Sequence, residues 1–400
     1  MKITHFEPDF VHALPILRAI EAAGYEAYFV GGSVRDALLE LPIHDVDIAT
    51  SAYPAEVKQI FTRTIDTGIQ HGTVTVRDHG HSYEVTTFRT ESGYQDFRRP
   101  DHVTFVRSLK EDLKRRDFTI NALAMREDGT ILDLFHGLDD LKAHLIRAVG
   151  DPNQRFHEDA LRMMRAVRFE SQLGFTVEAQ TAAAIKTQHE LLSKIAIERT
   201  HSEFAKLMLG IKRHNGLTTF IQSELYTQCP DFATHRDDLI SLSQLNDQQL
   251  TDEASAWLLI ANAFKLTVAQ TRKLLKDWKS SNELIATVAA GVKLLPLIVT
   301  GSAQPLDLYH AGADVLRITL EAAEILQGVA PETWQTQYDA LPIHDKHELA
   351  INGKDLMERL QMQPGPQLGK ALNGVERAIV LGQLENNESA ILKWVQANAE

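Results

Sequence analysis

The sequence predicts an α/β N-terminal head, a mixed sheet with helices, followed by an elongated all-α neck, body and tail. Three observations carry that prediction. Between residues 25 and 90, short runs rich in Val, Tyr and Thr alternate with turn residues and one helical pattern. Beyond about residue 136 the strand signals nearly vanish and helical patterns succeed one another. The chain has 400 residues, 44% hydrophobic and 24% charged, which suits two or three globular domains and excludes a disordered chain, a collagen-like repeat or a disulfide scaffold.

In order, YEAYFV reads as a strand, Gly31-Gly32 interrupts it, and SVRDALLEL places Val34, Ala37, Leu38 and Leu41 at helical spacing. DVDIAT alternates as a strand does. GTVTVRD and HSYEVTTFR are two further strands with RDHGH as the turn between them. Residues 91–102, ESGYQDFRRPDH, carry Gly and Pro without a period and are expected to be a mobile loop. EDALRMMRAVRFESQLG and AQTAAAIKTQHELLSKIAIERTHSEFAKLML then read as helices, with breaks near Gly174, from Gly210 to Gly216 and from Gly301 to Gly312.

Charge and cysteine usage bound the partners. A net charge of −13 disfavours a nucleic-acid partner on its face, yet Arg98, Arg99, Arg107, Lys110, Lys114, Arg115 and Arg116 concentrate positive charge in one run. The lone Cys229 has no partner for an intramolecular disulfide or a thiolate zinc site, so a reducing compartment, the cytoplasm, is expected. MKITHFEPDF lacks the pattern of a secretory or transit leader, and the densest apolar stretch, Leu294 to Val299, is too short for a bilayer; no membrane role follows.

The chemistry starts at Val30-Gly31-Gly32-Ser33. Two glycines that end a strand and open a helix let backbone N–H groups and the helix terminus meet a phosphate with no Cβ in the way, and Arg35 adds a charged fork. No Gly-Lys-Ser/Thr follows, so this is not a Walker loop. Twelve residues later come Asp45 and Asp47, i and i+2 on a strand and so on one face, where a hard divalent cation such as Mg²⁺ would relieve their repulsion. Either element alone is as well explained by an ordinary turn or a solvated strand edge. In this order and spacing they point to a phosphate and metal site. Glu84, acidic between Tyr83 and Val85, offers a third carboxylate for activating an attacking hydroxyl.

GGSVRD, DVDIAT, RRDFTINALA and EDALRMMRAVRF together resemble the DNA polymerase β-like nucleotidyltransferases and, more narrowly, the class II tRNA nucleotidyltransferases of the CCA-adding type; the match spans residues 30–168. LPIHDKHELAINGKDLM is similar to the C-terminal region of the Bacillota-type members. The resemblance implies addition of C, C and A to the 3′ end of tRNA from CTP and ATP, with Mg²⁺ on Asp45 and Asp47. It implies a catalytic head at 1–138, a base-recognising neck at 139–200, a body at 201–300 and a tRNA-binding tail at 301–400. A homodimer stays among the open oligomeric states.

Gly31, Gly32, Ser33, Arg35 and Arg116 then become nucleotide ligands, with Asp117 and Asn121 on sugar hydroxyls and Arg115 toward RNA. Asp159 and Arg162, i and i+3 on one helix, present an acceptor and a donor on one face. That pair suits cytosine and adenine, which carry an exocyclic amine where uracil and guanine carry a carbonyl. Arg165 and Arg168 continue the spacing, either toward the triphosphate and base or as a solvated stripe. The stretch from Thr90 to His102 resembles the flexible loop that the family needs to switch from C to A addition.

Poly(A) polymerases share the head motifs and usually add a basic extension, which this acidic chain lacks; a non-catalytic tRNA-binding protein is the other alternative. His344-Asp345 has no surrounding HD series and reads as a turn. Arg272, Lys273, Lys276 and Lys279 beside Trp278 form a basic face, either solvated or touching tRNA backbone, and the tryptophans read as core.

Overall fold

The strands expected between residues 25 and 90 assemble into one mixed sheet. The structure, a computed structural model, describes residues 1–43, 45–95, 99–329 and 331–398, with the side chains of 92–102 outside the description. It divides into two units, Met1–Thr234 and His235–Glu400.

The first unit opens with α1 (Pro8–Ala22), β1 (Ala27–Val30), α2 (Gly32–Leu38), β2 (Asp47–Thr50) and α3 (Pro54–Ile60). Next come β3 (Thr64–Gly68), β4 (Thr73–Asp78), β5 (His81–Thr87), β6 (Arg89–Gln95), β7 (Arg99–Phe105) and α4 (Leu109–Lys114). A short 3₁₀ turn, Thr119–Asn121, leads into β8 (Leu123–Met125) and β9 (Ile131–Asp133). Seven strands form the sheet in the order β3-β4-β5-β2-β1-β8-β9; β2 and β5 run parallel and the other neighbours antiparallel. Strand alternation sets the layers. Phe29 of β1 packs on Phe10 of α1 with ring centres 4.8 Å apart and planes tilted by 54°, while Tyr28 and Val30 turn to the other face and pack with Ala49, Phe88, Leu113 and Ala124. Asp47 is the register partner of Val30, so its carboxylate projects from the rim of that apolar layer.

Two expectations change here. Residues 91–95 and 99–102 are not a loop: they belong to β6 and β7, which pair antiparallel with Thr90 opposite Thr104 and Tyr94 opposite Pro100, and the rest of the expected loop, 96–98, lies outside the described residues. Gly93 and Pro100 hid the strand period without preventing the pairing. Arg98 lies outside the described residues, as does the side chain of Arg99. Gly216 is not a break either. It lies inside a helix, where a Cβ would stand 2.6 Å from the Val167 carbonyl oxygen, so glycine permits the close helix approach.

The rest of the first unit is helical: α5 (Gly137–Ala143), α6 (Pro152–Glu158), α7 (Leu161–Leu173), α8 (Ala179–Gln188), α9 (Ile197–Met208) and α10 (Arg213–Gln222), with a small parallel pair of β10 (Leu145–Ile146) and β11 (Thr176–Val177). α7 packs against α9 and α10 through the buried Met164, Val167, Phe204, Leu207 and Leu217.

The second unit contains α11 (Arg236–Ser243), α12 (Glu253–Ala263), α13 (Val268–Asp277), α14 (Asn282–Val299), α15 (Pro305–Gln327), α16 (Pro331–Asp339), α17 (Gly353–Leu360), α18 (Pro366–Val380) and α19 (Glu388–Ala397). The apolar stretch at Leu294 is the end of α14, whose 18 residues are long and apolar enough to cross a membrane by length and composition. α14 nevertheless packs on α12, α13 and α15 and buries Val288, Leu294 and Ile298, which accounts for its apolarity as a core helix. Trp257 and Trp278 meet edge to face at 5.0 Å in this core. Asp345 caps a 3₁₀ turn, Lys346–Glu348, as the turn reading of His344-Asp345 anticipated.

Candidate active site

Gly31 is the N-cap of α2 at φ 77° and ψ −138°, a backbone conformation that side chains rarely adopt. A Cβ there would lie 3.0 Å from Arg116 Nη1 and 3.8 Å from Asp47 Oδ2, so glycine keeps the guanidinium and the carboxylate close to the turn. Ser33 is buried and its hydroxyl donates to the Val30 carbonyl at 3.2 Å, fixing the strand-to-helix turn from inside.

Asp45 precedes β2 instead of belonging to it, because the strand begins at Asp47. The relation expected of Asp45 and Asp47 on one strand is supplied instead by Asp47 and Glu84, register partners across the parallel β2–β5 pair and hence on one face. Partial desolvation raises the Asp47 pKa above the usual carboxylate value; Arg116 opposes the rise, and Glu84 and Asp45 add to it. Among the described residues no three His, Cys, Asp or Glu side chains form a group that could hold a metal ion alone. The donor set fits a hard cation that takes one or two carboxylates here and its remaining oxygens from substrate phosphates, the usual arrangement for Mg²⁺.

Beside this rim lies a pocket of about 450 Å³. It gathers Gly31, Gly32, Arg35, Asp47, Arg116, Asp117, Asn121, Asp159, Arg162, Arg165 and Arg168; Ser33, Asp45 and Glu84 are not in its lining. Seven arginines against three aspartates line it, the four further residues being Arg115, Leu161, Phe169 and Arg199. An acidic chain therefore holds a strongly cationic cavity.

Each cation is held in place. Arg35 donates to Asn121 Oδ1 at 2.6 Å and pairs with Asp36 at 2.8 Å. Arg115 and Arg116 converge on the buried Asp112 at 2.9 and 3.3 Å. Asp117 accepts from Asn121 at 3.0 Å and from Arg165 Nε at 2.7 Å. Burial alone would raise its pKa, but the Arg165 charge and these hydrogen bonds hold it far below the usual carboxylate range. Arg168 pairs with Glu203 at 3.0 Å, and burial brings its guanidinium pKa down to about 10. Phe169 lies beneath three of them: Arg35, Arg165 and Arg168 stand 4.9, 5.3 and 4.2 Å from its ring centre. The arginines of α7 are thus not a solvated stripe.

Asp159 and Arg162 do not share a helix. α6 ends at Glu158, Asp159 is extended at φ −139° and ψ 104°, and α7 begins at Leu161. The Asp159 carboxylate accepts from the Leu161 N–H at 3.0 Å, a capping bond that starts α7. Arg162 donates to Glu158 at 2.9 Å, to the Arg155 carbonyl at 3.2 Å and to the Arg115 carbonyl at 2.8 Å. Sequence reasoning missed Arg199, Glu203, Glu158, Asp112 and Phe169. Arg199 and Glu203 are i and i+4 on α9, a spacing that by itself reads as a surface ion pair.

Three family models match the chain: the poly A polymerase head domain over residues 27–147, the probable RNA and SrmB-binding site of polymerase A over 174–235, and the putative tRNA nucleotidyltransferase domain 2 over 248–395. The chain is 62% identical to the CCA-adding enzyme of Latilactobacillus sakei, covering 98% of this chain and 99% of that one. It is 58% identical to the CCA-adding enzyme of Lacticaseibacillus paracasei, covering 98% and 97%. The solved structure of the Bacillus stearothermophilus CCA-adding enzyme in complex with CTP matches with a TM-score of 0.87 at 40% identity, covering 98% of both chains. The Thermotoga maritima CCA-adding enzyme complexed with tRNA, at 18% identity and a TM-score of 0.64 over 99% and 97% of the two chains, shares the fold. Identity above one half along nearly the whole length places this chain in the family of CCA-adding enzymes, as a tRNA nucleotidyltransferase.

Proposed function

We propose that the chain adds C, C and A to the 3′ end of tRNA from CTP and ATP without a nucleic-acid template. The 3′-hydroxyl oxygen bonds to the α-phosphorus, the bond from that phosphorus to the bridging oxygen breaks, and pyrophosphate leaves with the electron pair. Asp45 and Asp47 would hold Mg²⁺, and Glu84 would assist activation of the hydroxyl. When bound, the divalent ions polarise the phosphates and make the hydroxyl more acidic. Gly31, Gly32 and Arg35 cradle the triphosphate, Arg116, Arg165 and Arg168 neutralise its charge, and Asp117 and Asn121 meet the ribose.

Asp159 and Arg162 read the base. The three contacts made by Arg162 use its Nη atoms, which leaves its Nε edge for a ring acceptor. A carbonyl in place of the exocyclic amine would oppose the Asp159 carboxylate, and that is the penalty on U and G. Within this reading residues 1–138 carry the chemistry and 139–200 the base recognition, while 201–300 and 301–400 hold tRNA by shape and backbone contact in the cytoplasm.

The observation that carries the proposal is a single cavity that gathers the glycine turn, Asp47, Asp159 and Arg162. The CTP held by the Bacillus stearothermophilus relative supports the choice of nucleotide. The test is incubation with tRNA lacking its last three nucleotides and each nucleoside triphosphate, singly and in pairs. Two additions with CTP, one more when ATP joins it, and none with UTP or GTP are expected; repeated adenosine addition would make the protein a poly(A) polymerase.

A further inference from the structure

The proposed chemistry makes no use of Arg199, yet this residue lines the same pocket and grips the carboxylate that faces the base. It projects from the first turn of α9, forty residues along the chain from Asp159, and forms a two-pronged contact: Nη1 to Oδ1 at 3.3 Å and Nη2 to Oδ2 at 2.8 Å. We propose that Arg199 is a positioning residue for base selection, fixing the plane of the Asp159 carboxylate so that one oxygen lone pair stays directed at the incoming exocyclic amine. The proposal rests on the reading of Asp159 as the base acceptor.

The accounting of lone pairs supports it. A carboxylate oxygen accepts about two hydrogen bonds. Oδ1 has both, from the Leu161 N–H and from Arg199, whereas Oδ2 has one, from Arg199. A single acceptor position remains, and its direction is set by the fork. Without Arg199 the Leu161 N–H would hold one oxygen only, and the carboxyl group would be free to turn about its last side-chain torsion. A turned carboxyl can move Oδ2 out of the path of a uracil or guanine carbonyl, and discrimination falls.

The contact is not needed to dock α9. That helix buries Phe204, Leu207 and Met208, and its Glu203 pairs with Arg168 of α7 one turn beyond Arg199. Asp159 and Arg199 keep 20% and 26% of their side-chain surface exposed, as befits a pair on a pocket wall.

The test compares Arg199→Met, Arg199→Lys, Asp159→Ala and the double variant Arg199→Met/Asp159→Ala. For each, kcat/KM is measured for CTP and for UTP on tRNA lacking its last three nucleotides, together with Tm. Arg199→Met is expected to lower the CTP-to-UTP ratio about 10- to 100-fold, the scale of a reacting-site group misplaced by about 1 Å. Arg199→Lys keeps the charge, loses the fork and is expected to relax selectivity as well, which reads the same quantity should the Met variant fold poorly. The double variant should match Asp159→Ala, because Arg199 acts through Asp159. An unchanged ratio in both Arg199 variants, or a further loss in the double variant, overturns the proposal. Unchanged base choice in Asp159→Ala overturns the base-acceptor reading itself and this proposal with it.

Discussion

Asp47 and Glu84 stand side by side as register partners on β2 and β5, the single parallel neighbours in the described sheet. Thirty-seven residues apart in sequence, the two carboxylates project from one face with Asp45 close enough to act on Asp47 electrostatically. Asp47→Ala is expected to lower nucleotide incorporation by at least about 10³-fold, and Glu84→Gln by about 10-fold or more, while filter binding of tRNA changes little. Wild-type incorporation by Asp47→Ala would remove the ion site from Asp47.

Gly31→Ala tests the turn. The new Cβ would press on Arg116 in a conformation rare for alanine, so a stability loss of about 1–3 kcal/mol and a fall in kcat/KM for CTP of about 10-fold or more are expected. Thermal unfolding and steady-state kinetics report the two effects separately.

Phe169→Leu keeps an apolar side chain and removes the π face beneath Arg35, Arg165 and Arg168. Each cation–π contact is worth about 0.5–2 kcal/mol, so KM for CTP and ATP should rise about 3- to 30-fold with a smaller change in kcat. Unchanged KM would mean that the ion pairs alone hold the guanidinium groups.

Glu170 supplies a pH prediction away from the chemistry. It is buried on α7, its Oε2 has no hydrogen-bond partner, and burial pushes its pKa up to about 7, against hydrogen bonds from Thr219 and Val177 that act downward. The folded state therefore binds the Glu170 proton more tightly than the unfolded chain. Its contribution to stability is full below the ordinary glutamate value and is lost as pH rises toward about 7. Glu170→Gln should raise Tm at pH 8 and flatten the dependence of Tm on pH between 5 and 8. Parallel Tm curves for the two proteins would place no titration at this site.

The head was legible because backbone geometry demands its residues. A turn with Gly31 at positive φ, an alternating strand that opens on the Asp47 carboxylate and a two-residue hairpin turn at His79-Gly80 leave direct marks in sequence, whereas the place of Asp45 ahead of that strand does not. The β6–β7 pairing was not legible, since it is a backbone property and the sequence of the two strands lacks the period of a half-buried strand. The break at Asp159 was hidden because Glu158, Asp159, Ala160 and Leu161 are all compatible with a continuous helix, and only the capping bond to the Leu161 N–H shows where α7 starts. Arg199 and Glu203 escaped notice for a different reason. An Arg–Glu pair at i and i+4 has the same appearance on a solvated helix face, and only the packing of α9 on α7 turns it toward the pocket.

The break at Asp159 has a mechanical consequence. Within a continuous helix, two residues three positions apart keep their separation unless the turn between them unwinds. Asp159 lies at a junction, and its carboxylate is tied to α7 by the Leu161 N–H and to α9 by Arg199, so its distance from Arg162 is set by the seating of two helices on each other and not by a helical turn. A substitution that reseats α9 on α7 would therefore widen or narrow the gap offered to a base without unwinding a single turn of α7.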